Sequence, residues 1–189
     1  ARGCVGASVG GSRSCRAVIT KITRGDDMGG LVNYLTGPGR SNEHTDPQVV
    51  GSSQGVDVPL GQELSIDERR ALIDQLDAPS RLTDTEVEGG YVWHLSLTIP
   101  EGDGKLINGQ WAEAAREVSA EMGFSGEDVS EARWVAIRHG ASSAGNDHVH
   151  MAVSLVREDG RIASNWQDRV KVASVAGRLE QRFGLTGVG

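Results

Sequence analysis

A chain of 189 residues with 38% apolar and 24% charged side chains suits one domain with a full core, and no apolar run is long enough to span a bilayer. No hydrophobic leader follows the N-terminus, so a cytoplasmic protein without a membrane partner is expected. The net charge of −7 argues against a passive nucleic-acid coat, but only Lys21, Lys105 and Lys171 of its nineteen basic residues are lysines. Arginine is the better bidentate ligand for phosphate, which keeps nucleic acid open as a partner; a genome rich in G and C gives the same bias.

Residues 1–16 are rich in Gly, Ser and Arg and read as a flexible lead-in. They hold both cysteines, Cys4 and Cys15, with no sign of a secreted disulfide framework. The β-branched run at 17–24 predicts a first strand. Asp26 or Asp27 can cap a short helix that carries Tyr34, has Leu31 and Leu35 on one face, and stops at Gly37-Pro38-Gly39. From Arg40 to Gln62 the chain has little periodicity and reads as a long loop, with Glu43 and His44 in a polar cluster.

Ser65 and Glu68 form a capping box before a helix expected to end ahead of Pro79. Residues 91–99 alternate, placing Trp93, Leu95, Leu97 and Ile99 on one face and Val92, His94, Ser96 and Thr98 on the other. A His/Ser/Thr face suits either the floor of a polar cleft or a solvated exterior. A helix from about Gln110 to Met122 follows, with Trp111, Ala115, Val118 and Met122 as its buried stripe. The last helix, about Trp166–Phe183, places Val172, Ala176, Leu179 and Phe183 inward.

Between those helices, residues 134–156 read as a β-hairpin with a long polar turn. Pairing its strands sets His139 beside His148 and His150, and three convergent imidazoles are the donor set of a divalent metal site with open positions. A surface hairpin whose histidines only face solvent is the alternative. The order β-α-loop-α-β-α-β-β-α indicates an α+β fold: a single antiparallel or mixed sheet, centred on the hairpin bearing His148 and His150, and backed by helices.

Such a site could activate water or polarise a phosphate, depending on whether the chain offers a nucleophile. The Tyr34 hydroxyl could attack phosphorus, although taken alone a tyrosine in a short helix is more often a packing residue. The segments ITKITRG, MGGLVNYLTGPGR, WHLSLTIPEG, QWAEAAREVSAEMGF, VAIRHG and GNDHVHMAVSLVREDG together resemble the relaxase or mobilisation nuclease domains of conjugative elements, which are HUH endonucleases. The resemblance runs from about residue 18 to 184, so 17–189 is expected to be one relaxase domain, the N-terminal part of a longer protein.

The resemblance implies site- and strand-specific nicking and rejoining of single-stranded DNA at a transfer origin, through a 5′-phosphotyrosyl intermediate. It implies Tyr34 as nucleophile, with His44 as its competitor, and His139, His148 and His150 as ligands of a divalent ion, Mn or Mg in function and Zn or Ni as alternatives. Thr98 stands where relatives often have a DNA-contacting Ser, and Arg24, Arg40 and Arg138 flank the motifs as candidate phosphate contacts. Trp93 or Trp166 could stack a base; Asp147, Glu43 and His94 are candidate supporting residues. Accessory mobilisation and coupling proteins are the implied partners. A replication-initiator nuclease of the same class and a non-enzymatic, metal-stabilised binder of single-stranded DNA are the rival readings.

Overall fold

The computed structural model describes residues 17–37, 46–141 and 145–185. The elements in order are β1 (Ile19–Gly25), α1 (Met28–Thr36), β2 (Gln48–Ser52), α2 (Ile66–Thr83), β3 (Val92–Ile99), α3 (Asn108–Met122), β4 (Ala132–Ala141), β5 (Asp147–Arg157) and α4 (Asp168–Phe183). The strands form one antiparallel sheet in the order β1-β3-β5-β4-β2. The hairpin β4–β5 lies inside it, and the α+β expectation holds.

Alternation divides the sheet into two faces. One buries Trp93, Leu95, Leu97, Val149, Met151 and Val153 against α3 and α4. The other buries Val135, Ile137 and Ala152 against α1 and α2 through Met28, Val32, Leu35, Leu72 and Leu76. These two helices pack on β4 and β5 and leave the same face of β1 more open. There Ile19, Lys21 and Thr23 are exposed, and His94, Ser96 and Thr98 of β3 are half-buried. The polar alternation of β3 is therefore the floor of a cleft.

Two expectations are corrected. The stretch 40–62 is not loop throughout: β2 pairs with β4, Gln48 opposite Arg138 and Ser52 opposite Val135. Its five residues carry almost no pattern, because a short strand is stabilised mainly by its neighbour. And α2 does not stop before Pro79 but continues to Thr83. A proline inside a helix deprives the carbonyl four residues back of its partner. Here the orphaned Gln75 carbonyl accepts from Arg133 Nη1 at 2.6 Å, a bond supplied by β4.

Asp147, at the start of β5, ties the hairpin to the α3 layer. Its buried carboxylate accepts from Arg138 Nε at 3.0 Å, from the Leu106 amide at 3.0 Å and from Trp111 Nε1 at 3.1 Å. Removing the carboxylate strands two buried N–H donors and one partly buried cation, each costly without a partner. Asp147→Ala is expected to lower the unfolding free energy by about 3 kcal/mol, measured by urea denaturation; a loss below about 1 kcal/mol contradicts this role.

Candidate active site

The hairpin register places Ser96 opposite His150 and Thr98 opposite His148 on one side of β5, and Ile137 opposite His150 on the other. A register shift between Arg138 and Ala141 inserts a bulge next to His139. Gly140 lies there at φ 70°, a left-handed conformation that suits glycine. The three rings converge, with centroids 4.6 Å apart for His139 and His150, 5.2 Å for His139 and His148, and 5.3 Å for His148 and His150. One ring nitrogen from each lies within 4.8 Å of the others.

The other ring nitrogens have their own contacts. His139, fully buried, turns Nε2 to the Leu35 carbonyl at 2.7 Å. A carbonyl only accepts, so Nε2 carries the proton and Nδ1 is the nitrogen suited to ligation. His150 Nδ1 meets His94 Nε2 at 2.9 Å, and His94 Nδ1 meets Thr23 Oγ1 at 3.1 Å. His148 Nδ1 faces the Asn146 carbonyl at 3.5 Å. Burial, reinforced by the nearby Lys21 charge, pushes His94 down to about 4, so it is neutral at physiological pH. A neutral His94 can accept from His150 Nδ1–H while donating to the threonine, which directs His150 Nε2 to the cluster. Three imidazoles whose other nitrogens are engaged elsewhere, each with one nitrogen within 4.8 Å of the others, are a donor set that would hold a divalent metal.

α1 brings the tyrosine. Asp27 caps it, accepting from the Gly30 amide at 2.7 Å. A Cβ at residue 30 would fall 2.2 Å from the Asp27 carboxylate, so any larger residue there would push the capping side chain aside. At the other end Leu35 presents its carbonyl to His139, and Arg69 of α2 holds the Thr36 carbonyl at 3.3 Å. With α1 fixed at that end, Tyr34, 39% exposed, lines a cavity of about 310 Å³ with Lys21, Thr23, His94, Ser96 and His150. Metal-type histidine and phenol thus share one hollow.

A model of the nuclease domain of MobA/VirD2-like relaxases matches residues 45–185, including β3, the hairpin and all three histidines. The chain belongs to this relaxase family. No curated protein sequence matches it. The family match begins after α1, so Tyr34 lies outside it.

Among the other candidates, Thr98 lies on the cleft floor beside His148. His94 supports His150. Asp147 and Arg138 bond to each other on the α3 side, where Arg138 Nη1 also reaches Asn108 at 2.9 Å; their hydrogen bonds hold the fold together rather than a histidine ring. Arg24 is held by the Glu88 and Gly90 carbonyls. Trp93 is fully buried, edge-on to Phe124 with its indole N–H on Asp168, and has no face for a base; Trp166 is 69% exposed. Arg40, Glu43 and His44 lie outside the described residues, as do Cys4 and Cys15.

Sequence reasoning placed Ser96 on a possible cleft floor but did not single out Lys21 and Thr23 as cavity residues. Their signal is the alternation of β1 against β3, which needs the register to be read.

If the His94 bond orients His150, His94→Ala is expected to weaken Mn²⁺ binding about 10- to 100-fold in calorimetry, as the loss of a hydrogen bond that orients a metal ligand does. His148→Ala/His150→Ala should abolish it. Binding that survives the double substitution places the ion elsewhere.

Proposed function

We propose that this relaxase domain nicks and rejoins one DNA strand at a transfer origin through a covalent bond to Tyr34. The observation that carries the reading is the hollow that Tyr34 shares with His150, His94 and Lys21. A phosphodiester seated there has a phenol on one side and a histidine cluster on the other. Tyr34 Oη forms a bond to phosphorus while the phosphorus–O3′ bond breaks. The phenol's proton passes to solvent, and the departing O3′ takes one up as a hydroxyl. The product is a 5′-phosphotyrosyl strand with a free 3′-hydroxyl, and the reverse attack by a 3′-hydroxyl restores the strand without an external energy source.

His139, His148 and His150 would hold the divalent ion, Mn or Mg in function, with Zn and Ni accepted by the same donors. When bound, it neutralises charge on the phosphate's nonbridging oxygens. The chain's own groups supply the rest. The Lys21 ammonium lines the same hollow, where its charge favours the anionic phosphate. Ser96 and Thr98 offer hydroxyls to the strand from the cleft floor. Accessory mobilisation and coupling proteins are the partners this role implies.

Tyr34→Phe removes only the phenolic oxygen from a half-exposed position. With a transfer-origin oligonucleotide and Mn²⁺, the unaltered chain is expected to give a covalent DNA adduct on a denaturing gel, and Tyr34→Phe none. Equal adduct in both moves the nucleophile elsewhere, His44 first. A chain that binds the oligonucleotide but forms no adduct supports the non-enzymatic reading.

A further inference from the structure

The cavity containing Tyr34 is not the only hollow that Lys21 lines. A second, of about 320 Å³, opens beside it between the outer strand and the start of α4, lined by Thr20, Lys21, Ile22 and Arg169. Lys21 therefore stands where the two meet. Its strand, β1, is the edge of the sheet, so among the described residues one side of its backbone has no neighbouring strand.

Charge separates this edge from the rest of the molecule. Many arginines are neutralised by acidic neighbours: Arg178 and Arg182 by Glu113, Glu117 and Glu121, Arg81 by Asp74, Arg133 by Glu158, and Arg161 by Asp159. Among the described residues, neither Lys21 nor Arg169 takes part in an ion pair. Two cations from different elements thus face one hollow in a chain whose net charge is −7. Trp166, three residues before Arg169 at the head of α4, is 69% exposed, and Val170 is 66% exposed. The remaining tryptophans, Trp93, Trp111 and Trp134, are at most 2% exposed.

From this continuity we infer that single-stranded DNA flanking the scissile phosphate leaves the active site over Lys21, crosses the free edge of β1, and is held by Arg169 on a phosphate and by Trp166 stacked on a base. A cation beside an aromatic surface is how proteins grip single strands without reading sequence. A duplex does not fit this mode, because its bases are already stacked and paired. The track rests on the nuclease reading for its starting point, and its binding is measured without cleavage.

The test uses the full chain without divalent metal, fluorescently labelled (dT)15 and a 15-base-pair duplex, with anisotropy as readout. (dT)15 is expected to bind more tightly than the duplex. Arg169→Glu and Trp166→Ala, both at exposed positions, should each weaken (dT)15 binding about tenfold while leaving the thermal melting temperature unchanged. Arg169→Ala should lower the slope of log affinity against log salt by about 0.7. Unlabelled (dT)15 should quench the emission of the exposed Trp166, and Trp166→Ala should remove that quenching.

Affinity within twofold of the unaltered chain in both Arg169→Glu and Trp166→Ala overturns the track, as does no measurable (dT)15 binding or a preference for the duplex. Loss of the Tyr34 adduct with normal (dT)15 binding counts against the tyrosine chemistry alone. Normal adduct formation with unaltered binding in both variants counts against the track alone.

Discussion

The hydrogen bond from His139 Nε2 to the Leu35 carbonyl sets the geometry on which the candidate site depends. The last carbonyls of a helix have no partner within it, and a buried polar group left unpaired costs about 1–3 kcal/mol. His139 supplies that partner from the sheet and is itself fixed in one tautomer. Since α1 turns by about 100° per residue, holding Leu35 with its side chain inward turns the preceding residue, Tyr34, outward to the cavity. One bond thus orients a histidine of the cluster, docks a helix and directs a phenol.

The sheet supplies the asymmetry this arrangement needs. Helices α3 and α4 cover the part of the sheet face carrying Trp93, Leu97, Met151 and Val153, which makes it core. On the opposite face α1 and α2 cover the hairpin, and the polar side chains of β1 and β3 remain accessible. A cleft lies where the helix layer ends. The same boundary explains how His94 comes to be buried enough to stay neutral while it touches both Thr23 and His150.

Net charge is a poor guide to this protein because its charges are sorted in space. Acidic residues of α3 pair with arginines of α4, and Asp147 pairs with Arg138 beneath the hairpin. The sum of −7 describes the whole chain, whereas an anionic strand responds to the local field around the hollow lined by Lys21.

The sequence by itself determined the elements whose patterns are strong and local: the capped helices, the alternating β3, the hairpin, and the convergence of His139, His148 and His150, which follows from two-residue periodicity across one turn. The resemblance of its motifs also pointed to the relaxase family that the match over 45–185 supports. Tertiary structure decided whatever depends on a distant partner. β2 exists because β4 pairs with it, and α2 passes through Pro79 because Arg133 satisfies the Gln75 carbonyl. Asp147 serves the fold, and Trp93 the core, because of what lies across from them. The nearness of Tyr34 to His150, separated by more than a hundred residues, has no local signal at all. It arises because the C-terminal carbonyls of α1 need a donor and the hairpin holds one in reach.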